Sequence, residues 1–276
     1  MKTSVLLSFI LTWMAFSSVL AQDEVPVRWQ YPIGVVSHGD TIYVADRQLP
    51  GIWAVQDGHA KVFFQGSRGF GKVLNAIRCL AIDQTGQLLV GDSATREIYR
   101  FDATGVPQPL TGGKIGIPMG IAVTPEGTIY VSDLELKQIV KVAGGGGEPE
   151  LLAEIAAPTG LTLDADGNLL VVCRSTDPIR RVTSSGKVSV LVAGRPFKMA
   201  QDIAVDSEGT IFVTDGYAKT IWNVAADEAP QEAISGSPLI HPVGIYSAAE
   251  QLLVADPRAK DVFRIVDGKL ESILTP

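Results

Sequence analysis

Cysteine is almost missing from this chain, with 2 in 276 residues. Two thiols cannot build a disulfide framework, so the fold rests on its own core. Histidine is equally scarce: His38, His59 and His241 stand in three unrelated places. A histidine-rich zinc site needs three or more convergent ligands, so the pattern predicts no metal. Charged residues make up only 19%, and 30 acidic against 23 basic side chains leave a net charge of −7. That balance argues against a nucleic-acid partner, which calls for clustered Lys and Arg. Beyond residue 21 no apolar run approaches the ~20 residues that span a bilayer. No segment carries a 3.6-residue apolar stripe of helical length.

What the chain does have is punctuation: 28 Gly and 16 Pro within a composition that is 46% hydrophobic. That apolar fraction excludes intrinsic disorder. The first 21 residues read as an address rather than as structure. Lys2 supplies a charged start, and Val5 to Phe16 is apolar except for Ser8 and Thr12. Val19, Leu20 and Ala21 then resemble a cleavage site. The pattern predicts a secretory signal peptide cut after Ala21 and a secreted or periplasmic chain with no span in its mature form. Residues 22–30 form a short N-terminal segment ahead of the main domain, 31–276.

That domain repeats itself. Six segments share one pattern, seen in PMGIAVTPEGTIYVSD (118–133) and AQDIAVDSEGTIFVTD (200–215). Their last positions are Asp46, Asp92, Asp133, Cys173, Asp215 and Asp256. The steps between them are 46, 41, 40, 42 and 41 residues, which marks a repeat architecture. Each unit holds four strand signals. In the third they fall at Gly120 to Val123, Thr128 to Ser132, Gln138 to Val142 and Glu150 to Ala153. A four-stranded meander cannot bury both faces alone, whereas units stacked around an axis bury them against each other. The first and last units look like the middle ones, which favours a closed ring over an open solenoid with capping repeats. The expected fold is all-β, a six-bladed propeller of four-stranded antiparallel blades. Leu270 to Leu274 reads as the outer strand of the last blade. Val25 to Trp29 competes for that place or lies beside it.

The run P-x-G-I-A-V, then (E/D)-G-x-I-Y-V-(A/S)-D, then I-x-(R/K)-V, resembles the NHL repeat. The wider relatives are the SMP-30/gluconolactonase-like propellers. The resemblance covers essentially all of 31–276 and implies that the first strand of each blade lines the axis. It also places the residue after the repeat's proline at the upper mouth. Round the ring that position reads Ile33, Arg78, Met119, Thr159, Gln201 and Val243. The next reads Gly34, Cys79, Gly120, Gly160, Asp202 and Gly244. Glycine there suits crowded backbone near an axis. Blades two and five break the rule with Arg78-Cys79 and Gln201-Asp202. Either they form a polar ligand site with Thr159 nearby, or Arg78 and Asp202 satisfy each other or the backbone.

Other motifs are weaker. The stretch from Gly66 to Val73, GSRGFGKV, lacks the Ser/Thr of a phosphate loop and no helix follows it. It reads as an inserted loop whose Arg68 and Lys72 form a basic lip near Arg78. DADGN at 164–168 occupies the place of DQTGQ and DSEGT in other blades, which makes it a hairpin turn rather than a calcium loop. The repeated aspartates sit where Asp bonds following backbone N–H groups. Arg174 adjoins Cys173 at the mouth. Cys79 and Cys173, two blades apart, are expected as unpaired, partly buried thiols. The resulting expectation is a non-catalytic binder of a small polar or anionic ligand, or of a protein partner. Its contacts would be Arg78, Gln201, Asp202, Thr159, Arg174, Arg68 and Lys72. The alternative is a lactone hydrolase or lyase related to the gluconolactonase-like group, the only reading that calls for a divalent metal such as Ca²⁺. That group's acidic ligands have no full match here, for Tyr31-Pro32-Ile33 offers no Glu and no Pro-Asn-Gly occurs.

Overall fold

Alternating apolar and polar residues, cut every few positions by Gly, Asp or Pro, specify strands. In the computed structural model, which describes residues 29–69, 71–226, 228–248 and 251–275, they form 24 strands, β1 to β24. Every four consecutive strands make one antiparallel meander, so six sheets follow one another along the chain. In the third blade the strands are Pro118–Val123, Ile129–Asp133, Gln138–Val142 and Glu150–Glu154. The hairpin turns form for the expected reason. Asp83 Oδ1 accepts the N–H groups of Thr85 (2.8 Å) and Gln87 (3.0 Å), and Gly86 takes φ 81°. In the DADGN turn Asp164 Oδ1 likewise accepts from Asp166 and Asn168.

The inner strands are β1 (Pro32–His38), β5 (Ile77–Ile82), β9 (Pro118–Val123), β13 (Pro158–Leu163), β17 (Ala200–Val205) and β21 (Gly244–Ala248). Each packs against the next, and β21 packs against β1, so the sheets close into a six-bladed β-propeller. The core lies between blades. Val36 and Ile52 of the first blade pack with Leu80 and Val90 of the second, and equivalent clusters fill the other seams. Burying each such side chain contributes about 1.5–3 kcal/mol.

The last blade takes its outer strand from its own repeat: β24 (Lys269–Ser272) pairs with β23 (Asp261–Val266). The ring is sealed by the two chain ends crossing the seam. Trp29 is buried edge-on against Trp53 at 5.8 Å, in one cluster with Leu253 and Val262 of the last blade. From the other end, the Thr275 backbone N–H donates to Gly58 O in the first blade at 3.1 Å. Residues 1–21, expected to be a signal peptide, and Val25 to Arg28 of the candidate closing strand lie outside the described residues. Among the described residues no helix is long and apolar enough to cross a membrane.

Candidate functional site

Antiparallel meanders put two kinds of connection on the mouth side. One joins the second and third strands of a blade, and the other leads into the next blade. The repeated aspartates hold these two together. Asp133, fully buried, accepts N–H groups from Gly116 (2.7 Å) and Ile117 (3.0 Å) ahead of the inner strand. It also accepts from Glu135 and Leu136 (both 3.1 Å) after it. Asp46, Asp92, Asp215 and Asp256 repeat the arrangement. The sequence led us to expect only the following amides. The preceding pair makes each aspartate a clasp that fixes both mouth loops of its blade. These carboxylates are consumed by backbone and are not free for chemistry.

On that platform a cavity of about 410 Å³ runs along the axis. Ile33, Arg78, Met119, Gln201 and Val243 line its mouth, and Ile82 and Val123 its far end. The inner strands pair on one side only. Their axial edges therefore present unpaired N–H and C=O groups, and the shaft is a polar conduit despite its aliphatic side chains.

Three guanidiniums converge on the mouth: Arg47, Arg78 and Arg174. Arg78 Nε donates to Ser93 Oγ at 2.9 Å, which holds the group over the opening. Its burial, and then the like charge of Arg47, lower its pKa. Arg174 Nη2 donates to Gln201 Oε1 at 2.6 Å, tying blade four to blade five. Burial lowers its pKa as well, although the residue stands on an exposed loop. Among the described residues none of the three forms an ion pair. His241 also lines the mouth, its ring 5.3 Å from that of Tyr217. Its Nδ1 has no partner among the described residues.

Asp202 lies in the same wall and does something else. Its Oδ1 accepts the Ile203 N–H (2.9 Å) and its Oδ2 the Ile245 N–H (3.1 Å) across the seam to blade six. Burial pushes its pKa up to about 7, against the pull of those two amides. No ion pair joins it to Arg78 among the described residues. Cys79 is buried beside it. Burial, and then the Asp202 charge, raise the pKa of its thiol. Gly91 is the cross-strand partner of Cys79, and a Cβ there would stand 2.5 Å from the sulfur. That explains glycine where the other blades carry Ala45, Ser132, Val172, Thr214 and Ala255. Cys173 is buried too, with burial raising its pKa to about 11, and both thiols are unpaired. They are more deeply buried than expected.

Three predicted contacts fall outside the cavity wall. Thr159 is turned into the blade, where its hydroxyl donates to Val172 O at 3.3 Å. Arg68 and Lys72 are exposed on the 66–76 loop, and Arg68 Nη2 donates to Gln48 O at 2.9 Å. They belong to the rim and not to the pocket. Sequence reading missed Arg47 and His241. Arg47 had a signal: it follows Asp46 as Arg174 follows Cys173. The glycine rule also needs correction. A Cβ on Gly160 would meet Asp202 Oδ1 at 2.4 Å, whereas one on Gly34 would meet nothing nearer than 3.9 Å.

The gluconolactonase-like resemblance implies a divalent metal on the axis. The donors here are one carboxylate already bonded by two amides, one buried thiol and one imidazole, set beside three cations. Among the described residues no three His, Cys, Asp or Glu gather into a metal-sized cluster. That donor set does not fit a Ca²⁺ or Zn²⁺ centre.

No protein-family model matches the sequence, and neither does any curated protein. Solved structures do match. Virginiamycin B lyase from Staphylococcus aureus is 18% identical, with a TM-score of 0.68 over 89% of this chain and 85% of that one. A chain of the nidogen/laminin complex is 19% identical, with a TM-score of 0.69 over 89% and 92%. A gluconolactonase from Xanthomonas campestris is 17% identical, with a TM-score of 0.69 over 83% and 84%. At such identities the likeness is one of fold. The chain is a six-bladed β-propeller that shares its architecture with NHL-repeat and gluconolactonase-like propellers.

Proposed function

We propose that this propeller acts after export as a non-catalytic binder of a small anion, a carboxylate or phosphate held at the axial mouth. The observation that carries the reading is the convergence of Arg47, Arg78 and Arg174 on one cavity with no carboxylate paired to them among the described residues. Arg78 and Arg174 are partly desolvated and Arg47 crowds Arg78, so the empty site is costly and a bound anion relieves both burial and mutual repulsion. Gln201 fixes Arg174, and Ser93 fixes Arg78, so little side-chain freedom remains to be lost on binding.

Calorimetry of the mature chain with succinate and with inorganic phosphate tests the reading. Saturable binding should weaken at least tenfold in Arg78→Gln, with fold and melting behaviour retained. An affinity indifferent to that substitution would remove the mouth as the site. The second reading, a lactone hydrolase or lyase, draws support from the gluconolactonase and lyase among the fold neighbours. Turnover of a gluconolactone by the purified chain with Ca²⁺ or Zn²⁺ added would put it first.

A further inference from the structure

The net charge of −7 hides a sorted molecule. The described connections on the mouth side carry twelve Lys and Arg against two acids, Glu135 and Asp177. Those on the opposite side carry twelve acids against one base, Lys187, and one of the twelve, Glu148, stands on a long loop that folds back to pair with mouth-side Lys114. All twelve mouth-side cations are exposed. Of these only Arg96 and Lys114 form ion pairs among the described residues. Apart from that loop, the inner strands of five to seven residues hold the two faces about 20 Å apart. That exceeds the Debye length of ~8–10 Å at physiological salt, so a partner at the mouth meets the cations and is screened from the acids behind them.

The same face also holds exposed apolar side chains: Leu136 at 46%, Tyr217 at 54% and Ile240 at 44%. An acidic carbohydrate has carboxylates for the cations but nothing to cover Leu136 and Ile240. An acidic peptide segment with interspersed apolar residues matches both. We propose that the mouth face is a docking surface for such a segment of a partner protein, one of whose carboxylates enters the Arg47, Arg78 and Arg174 site. This rests on the anion-site reading above and extends it from a free small anion to one displayed on a peptide.

Lys198, Arg258 and Lys260 are exposed on the rim and do not line the cavity. Their charge reversal (Lys198→Glu, Arg258→Glu, Lys260→Glu together) separates this proposal from the small-anion reading. The probes are a synthetic peptide of alternating Glu and Leu/Tyr residues, polyglutamate, polygalacturonate and succinate. By fluorescence anisotropy the mixed peptide should bind tighter than polyglutamate and polygalacturonate, with an affinity that falls steeply as salt rises. The triple variant should lose at least tenfold for the peptide and none for succinate. Succinate binding thereby also reports that the variant is folded. Equal binding of polygalacturonate, no peptide binding, or peptide affinity unmoved by the triple variant would each overturn the docking proposal while leaving the small-anion site standing. Head-to-tail association of the chain with itself at low salt, seen by sedimentation velocity, would also overturn it by giving the cationic face to a second copy's acidic one.

Discussion

Replacing Asp133 by alanine removes one carboxylate and strands four backbone donors. Two of them, the N–H groups of Glu135 and Leu136, belong to an exposed loop and can turn to water. The other two, from Gly116 and Ile117, lie against the inner strand, where Gly116 is buried. A buried donor left without an acceptor costs about 1–3 kcal/mol, and relief of carboxylate desolvation offsets part of two such losses. The expected net loss is about 3 kcal/mol, above the 1–2 kcal/mol scale of a single charged hydrogen bond that the sequence alone suggests. With a urea m-value of about 3 kcal/mol/M, the midpoint should fall by about 1 M at constant m. The Asp133→Asn variant keeps one acceptor oxygen and should fall roughly half as far. Cys173→Ala supplies the contrast. That sulfur makes a long contact to Val171 O and a weak one to the Arg180 side chain, so its loss should cost about 1 kcal/mol. Urea unfolding followed by circular dichroism measures all three. Equal midpoints for Asp133→Ala and Cys173→Ala would refute the idea that the aspartate clasps hold the mouth loops.

Asp202 makes stability depend on pH in the reverse of the usual carboxylate sense. Its folded pKa of about 7 lies above its unfolded value near 3.8, so the folded state binds the extra proton between them. Stability is then fullest below pH ~4 for this group and declines as pH rises towards 7, by about 2–4 kcal/mol in all. Thermal melts of the wild type and of Asp202→Asn across that window should converge at low pH and differ in slope above it. Parallel curves would remove Asp202 as the cause. Gly160→Ala should cost about 2–4 kcal/mol, since its Cβ would meet the Asp202 Cα at 2.5 Å, whereas Gly34→Ala should lie within about 1 kcal/mol of wild type. Similar losses for both would show that crowding at the hub does not set the choice of glycine.

Much of this architecture is legible in the repeat because hydrophobic alternation and turn residues are local, and six copies of one signal reinforce each other. The third blade's strands fall within two residues of their expected limits for that reason. The site is less legible because its residues gather from different blades. Arg78 and Gln201 were visible because they adjoin Cys79 and Asp202, the two departures from a repeated glycine pattern. Arg47 and His241 depart from nothing that a single strand displays, and only the closed ring brings them to one opening. Thr159 shows the converse. Its place in the pattern is a mouth position, but Val172 O captures its hydroxyl inside the blade. Direction of a side chain is a packing property, and the alternation that fixes strand faces does not fix it at a strand's irregular first residues. There the register shifts between Pro158 and Leu161.

The division of labour between neighbouring positions follows from the same geometry. The repeated aspartate is buried and bonded by backbone, so any substitution there is felt by the fold. In five blades the residue after it points from a loop that the aspartate has already fixed; in the fourth, where Cys173 replaces the aspartate, the Cys173 N–H donates to Pro178 O and the Arg174 N–H to Ala157 O instead. Round the ring that residue reads Arg47, Ser93, Leu134, Arg174, Gly216 and Pro257. It differs in every blade except the first and fourth. Ser93 orients Arg78, and Arg47, Arg174 and Pro257 line the cavity. A loop held by its neighbours, through the aspartate in five blades and through backbone bonds in the fourth, thus frees the adjacent position to vary without cost to the blade. Chemistry accumulates at the mouth because that is where the fold constrains the side chain least and the backbone most.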